Sequence, residues 1–169
     1  IRKQYAKLIA PGSRVLDLMG SWDSHLPGDL ELQALTVLGM NKVELDANSL
    51  ATGTVVRDLN QNQTLPFEEN SFEAMVCTAS IEYLTDPLAV FAEMQRVLVP
   101  GGVLALAFSN RWFPPKAIKI WAELHEFERL GMVLEMFQRT PGFSDMHTLT
   151  RRGQPRPKDD PHQEINESD

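Results

Sequence analysis

Short apolar blocks, separated by polar stretches rich in Gly, Pro, Asn and Asp, divide this chain into alternating strands and helices. Arg14–Leu18, Thr36–Met40, Gly53–Asp58, Phe72–Thr78 and Val103–Phe108 have strand length and strand composition. Several are apolar at consecutive rather than alternate positions, which is how parallel strands covered on both faces read. Helical spacings lie between them. Tyr5, Leu8 and Ile9 mark a first helix, closed by Pro11-Gly12. Val43, Ala47 and Leu50 share one face of a second. Asp86-Pro87 opens a third with a cap and a first-turn proline, Leu88, Phe91, Met94 and Leu98 give its stripe, and Pro100-Gly101-Gly102 stops it. Pro114-Pro115 predicts a further helix to about Leu130, continued by Met132–Phe137. Pro27-Gly28 interrupts Met19–Leu35, so a helix there is short and starts near Asp29. Met146–Thr150 reads as a sixth strand.

This alternation predicts an α/β fold, a doubly wound, mostly parallel, Rossmann-like sheet. Right-handed crossovers then bring the loops after Leu18, Met40, Val56 and Cys77 to one crevice at the carboxyl ends of the strands. Residues 1–150 form the domain. Residues 151–169 are Pro-rich, charged and nearly free of apolar side chains, and predict a polar tail with little order.

Composition narrows the function classes. The chain has 169 residues, enough for one sizeable core, and its net charge of −7 argues against a nucleic-acid partner, because phosphate binding needs a basic face. No apolar run approaches the roughly 20 residues that span a bilayer, so no membrane partner is expected. A single cysteine, Cys77, cannot form an internal disulfide. That suits a reducing compartment, the cytoplasm or an organelle stroma. The first residue is Ile rather than Met, so the start of the chain carries no targeting argument. The four histidines are scattered without metal-ligand spacing, and no metal is expected.

The ordered set VLDL (15–18), LGMN (38–41), VVRDLN (55–60), LPFEENSFEAMVCTASIEYL (65–84), DPLAVFAEMQRVLVPGG (86–102) and VLALAFSNR (103–111) resembles class I S-adenosylmethionine-dependent methyltransferases of the type 11 kind. LPF, then a strand, then RVLVPGG is its most specific part. The resemblance implies the methyltransferase fold, S-adenosylmethionine as cofactor and a small-molecule methyl acceptor. It implies that the last strand is missing, because His162-Gln163-Glu164 stands where an apolar one belongs.

It also assigns cofactor positions. Asp17 matches the carboxylate near the cofactor ammonium, Asn41 the residue that grips the ribose hydroxyls, and Asp58 the acceptor for the adenine amine, with Leu59 beside the ring. Thr78 ends the fourth strand near the reactive methyl. Met19, Ser21 and Asp23 stand at the three glycine positions of the loop after the first strand. Glycine there permits positive φ and close approach of backbone to ligand. Asn offers one carbonyl acceptor where a carboxylate offers charge and two oxygens, so Glu44 and Asp46 come into view as substitutes. No catalytic residue is assigned, since alignment can supply much of the rate of methyl transfer. The alternative is a binding or scaffolding protein that keeps the fold and has lost the cofactor, with Met19, Ser21, Asp23 and Asn41 as the traces of that loss.

Overall fold

The computed structural model describes residues 1–151. Apart from Arg151, which is exposed, the expected tail lies outside the described residues, as do His162 and its neighbours. The elements are α1 (Arg2–Leu8), β1 (Arg14–Leu18), β2 (Ala34–Gly39), α2 (Lys42–Asp46), β3 (Gly53–Val56), β4 (Phe72–Thr78), α3 (Pro87–Val97), β5 (Leu98–Ala107), α4 (Lys119–Glu123) and α5 (Glu126–Arg139). All strand pairs are parallel and the order is β3-β2-β1-β4-β5. The order reverses between β1 and β4, which places a crevice at their carboxyl ends.

The sheet is packed on both faces. Leu16, Leu18, Leu38, Met75 and Cys77 meet Phe91, Met94, Trp121, Val133 and Met136 on one side. Val15, Val37, Ala74 and Val76 meet Tyr5 of α1, Ile9 just after it, Leu26, and Leu45 of α2 on the other. This two-sided burial is why β1 and β4 read as continuous apolar runs.

Three expectations are corrected. No helix forms between Met19 and Gln33. The segment is held extended, with Gly12 N–H donating to Glu31 O (2.7 Å) and Gln33 N–H to Ser13 O (3.0 Å), and Leu26 is its buried anchor. The helix expected from Pro114 is two helices that begin later, because His125 starts a new one: its N–H donates to Glu128 Oε2 at 2.8 Å. Met146–Thr150 is exposed and forms no strand.

The proline-led α3 pins the polar connection before β4. Asp86 accepts from Ala89 N–H at 3.2 Å, capping the helix. Near its other end, Arg96 donates to Phe67 O (2.9 Å) and Leu65 O (3.0 Å), while Glu93 accepts from Leu65 N–H (2.7 Å) and pairs with Arg96 (2.7 Å). Arg96→Ala strands two carbonyls and a half-buried carboxylate. Its expected cost is about 1–3 kcal/mol in urea unfolding, against well under 1 for the exposed Arg139→Ala, and equal costs would refute the pin.

Candidate functional site

β1 carries Asp17 to the crevice, opposite Val37 and Val76 on its neighbouring strands. The side chain is 2% exposed, and Oδ2 has no hydrogen-bond partner. Burial pushes its pKa up to about 7, with the charge of Asp23 adding to the effect and Ser24 opposing it.

The loop that follows keeps a glycine-like backbone without the glycine. Met19 has φ +57°, a left-handed conformation that L side chains adopt at a cost of about 1–2 kcal/mol. Its side chain packs against the core on the α3 and α5 side, away from Asp17's face, and its carbonyl accepts from Ser80 Oγ (3.2 Å). Gly20 then lies so close to β1 and β2 that a Cβ would stand 2.5 Å from Asp17 Oδ2, and its N–H donates to Leu38 O at 2.9 Å. Gly39 is equally confined by the Gly20 carbonyl.

The next residues are bonded to α2. Ser21 Oγ donates to Glu44 Oε2 (2.6 Å), and Asn41 Nδ2 donates to Glu44 Oε1 (2.7 Å). Asn41 Oδ1 accepts from Val43 N–H at 3.1 Å, capping α2. Glu44 therefore bridges the loops after β1 and β2. Asp46 instead pairs with Lys42 (2.7 Å) on the outer face. Asn48 donates to Ser21 O and Ser24 Oγ, both at 2.9 Å, and Arg2 pairs with Asp23 at 2.7 Å, tying α1 to the same loop. Trp22 is 65% exposed.

After β3, Asp58 accepts from Asn60 N–H and Gln61 Nε2, both at 2.9 Å, and Leu59 is buried in the core. At the end of β4, Thr78 Oγ1 is 2.7 Å from the hydroxyl of Tyr5, which α1 carries into the same face as Asp17. Burial also raises the Cys77 thiol, the opposite of what a reactive cysteine needs. Glu82 follows on a 3-10 turn, fully buried, with both carboxylate oxygens unpartnered and its pKa raised by burial.

Asp17, Met19, Ser21, Asn41 and Thr78 are thus grouped at the carboxyl ends of β1, β2 and β4, with Asp58 one strand further out. One hollow of about 380 Å³ lies at the amino ends of β1, β4 and β5, and another of about 460 Å³ lies on the outer side of the loop after β1, beside Trp22, Asp23 and Leu50. The contacts of Glu44 with Ser21 and Asn41, and of Tyr5 with Thr78, were not read from the sequence. The signal for Glu44 was available: Asn41 and Glu44 hold the first and last places of a capping-box spacing, which predicts that they meet. Nothing in sequence marks Tyr5, whose partner is 73 residues away. Among the described residues, no cluster of His, Cys, Asp and Glu is placed to hold a metal ion, and no helix is long and apolar enough to cross a membrane.

A parallel sheet with order 3-2-1-4-5 and polar side chains gathered at its switch point defines a doubly wound α/β protein, a class in which ligands bind at that crevice. Residues 29–106 match the family model described as a methyltransferase domain. The ubiquinone/menaquinone biosynthesis C-methyltransferase UbiE of Shewanella frigidimarina is 33% identical over 111 residues, 59% of this chain and 44% of that protein. Its counterpart from Haemophilus ducreyi is 30% identical over 118 residues, 63% and 46%. The chain therefore spans less than half the length of these relatives. A SAM-dependent methyltransferase from Aquifex aeolicus shares the fold with TM-score 0.57 at 18% identity, over 79% of this chain and 76% of that one. The 4+2 cyclase SpnF shares it with TM-score 0.59 at 19% identity, over 79% and 55%. Over residues 29–106 the chain is thus similar to methyltransferase domains, and its fold is that of S-adenosylmethionine-dependent methyltransferases.

Proposed function

We propose that this chain carries the cofactor-binding core of an S-adenosylmethionine-dependent methyltransferase acting on a small molecule. One observation carries the reading. Three carboxylates, Asp17 near the carboxyl end of β1, Glu44 after β2 and Asp58 after β3, mark three adjacent strands at the switch-point side of the sheet. The cofactor presents three donors in turn: an ammonium, a ribose diol and an adenine amine. Carboxylates are acceptors when ionised, so the two sets match in kind and order. The partnerless Oδ2 of Asp17 suits the ammonium, Glu44 replaces Asn41 at the diol, and Asp58 takes the amine. Met19 holds the backbone as glycine would, so the loop keeps its path. The bound cofactor supplies an electrophilic methyl group. The residues of this chain bind and align it, and Thr78 stands at the methyl-facing end. Ser21 and Asn41 release Glu44 as the diol takes their place.

The relatives' names add a finer reading, a carbon acceptor of quinone type. A second reading, a methyltransferase-fold protein that binds without methylating, draws on the closed crevice: Gly20 stands over Asp17, and Glu44 is already engaged by Ser21 and Asn41. A shared fold does not decide between them.

Calorimetric titration of S-adenosylmethionine and S-adenosylhomocysteine into the full chain separates the two. Micromolar binding is expected, weakened at least tenfold by Glu44→Ala and further by Asp58→Ala. Absence of heat from either ligand up to millimolar concentration sinks the cofactor reading and leaves the second. Binding that Glu44→Ala does not change sinks the assignment of the diol.

A further inference from the structure

A second group of buried polar side chains sits beyond the carboxyl ends of β4 and β5, on the α5 side of the sheet. Glu82 is 0% exposed and neither of its carboxylate oxygens has a hydrogen-bond partner. Arg129 is 6% exposed. Its Nε donates to Trp121 O at 2.9 Å, and its guanidinium carbon lies 3.9 Å from the centre of the Trp112 ring and 5.8 Å from that of Trp121. The charge of Arg129 is felt at Glu82, yet no ion pair closes within 4.0 Å. The indole N–H groups of Trp112 and Trp121 are also buried without a partner. Phe108 completes the wall, edge to face with Trp121 at 5.2 Å.

An acid, a cation and two N–H donors are thus buried in one neighbourhood, with only one hydrogen bond, from Arg129, made by their side-chain polar groups. A buried carboxylate without partners costs several kcal/mol, and a glutamine there would cost less. Such a group calls for an explanation, and a ligand is the one its surroundings support. The carboxylate needs a donor. The guanidinium, whose charge is felt at Glu82, disfavours a cation and favours a group that gains negative charge. The aromatic walls favour a flat ring.

We propose that Glu82, Arg129 and Trp112 bind an aromatic molecule through an acidic hydroxyl, placed between the carboxylate and the guanidinium. This deepens the methyl-transfer reading and rests on it only for the claim that the molecule is the methyl acceptor. The site adjoins the crevice: Ser80, on the segment that carries Glu82, donates to Met19 O, and the charge of Glu82 reaches Cys77 on β4. The hydroxyl O–H bond breaks, its proton goes to a Glu82 oxygen, and the electron pair stays on the ligand oxygen facing Arg129. That charge makes the oxygen, or the ring carbon beside it, a better nucleophile. The segment 109–118 is tied to the Glu82 turn by Phe113 N–H to the Tyr83 hydroxyl (3.2 Å) and Ile118 N–H to Glu82 O (3.0 Å), so entry of the ring requires those two bonds to open.

The test uses 2-naphthol and 2-methoxynaphthalene, which share a ring and differ in the donor. Each is titrated calorimetrically into the full chain at pH 7.5 without cofactor. 2-Naphthol is expected to bind at least tenfold more tightly. Glu82→Gln should bring it to the level of the ether, and Arg129→Lys should weaken it at least fivefold. Equal affinities for the two probes overturn the proposal, as does undiminished naphthol binding by a folded Glu82→Gln. Should that variant fail to fold, the probe comparison on the unaltered chain and Arg129→Lys still decide. S-adenosylhomocysteine is titrated in parallel. Loss of naphthol selectivity with intact S-adenosylhomocysteine binding overturns this inference alone. The converse overturns the methyl-transfer reading and leaves the aromatic site standing.

Discussion

Asp17→Asn is expected to make this protein more stable at pH 8, by up to about 4 kcal/mol, and to leave it little changed at pH 4. Burial raises the folded-state pKa of Asp17 from 3.8 to about 7. The unfolded chain holds the same carboxyl at its ordinary value. Between those two values the folded state binds the proton and the unfolded state does not. Stability is therefore fully present below about pH 4, declines as pH rises, and has lost this contribution above about pH 7. An amide carries no charge to desolvate, and Ser24 remains beside it as a polar neighbour. Urea unfolding of both proteins at pH 4, 6 and 8 measures the effect. The gap between variant and parent should open with pH; a constant gap would mean that Asp17 is not desolvated as the structure shows. The same change should abolish S-adenosylhomocysteine binding, because the ammonium loses its carboxylate. A residue that destabilises the fold and is needed for the ligand is expected of a site residue.

The second large effect lies far from the crevice. Phe91 is fully buried on α3, with its ring edge to face with Phe137 at 5.0 Å and Phe143 at 6.3 Å. It is the centre of the contact between α3 and α5. Phe91→Ala should cost about 3–5 kcal/mol, the sum of lost burial and the cavity left behind. Phe127, on α5 but 76% exposed, is the control, and Phe127→Ala should stay within about 0.5 kcal/mol. Comparable losses at the two positions would mean that α5 is not docked through this aromatic cluster. Since α5 also carries Arg129, loosening it should weaken naphthol binding as well.

Much of the fold was legible because its strongest signals are local. The bounds of β1 and β4 are those the apolar runs predict, since a strand buried on both faces tolerates almost no polar residue. The Asp86 cap and Pro87 likewise announce α3 within three residues. What failed was continuity. The Pro114-Pro115 start signal predicts one long helix, and the break at Pro27-Gly28 predicts a short one near Asp29. His125 divides the first, and in the second hydrogen bonds to Gly12 and Ser13, distant in sequence, hold the segment extended.

The sequence by itself determined the strand pattern, the sheet type and the identity of the residues that follow each strand. Those depend on the period of burial and on turn and cap chemistry, which act over a few residues. Only the tertiary structure decided what those residues do. Met19 looks like the loss of a glycine, yet its backbone adopts the left-handed conformation that glycine would, because the core holds its side chain and Ser80 its carbonyl. Asn41 looks like the ribose ligand, yet its side chain caps α2 through Oδ1 and donates to Glu44 through Nδ2. Asp17 and Glu82 look like ordinary acids in the chain. Burial, a property of elements that meet across the sheet, pushes the pKa of both upward. Charge in a folded protein depends on what surrounds it, and that is set by contacts between segments far apart in sequence.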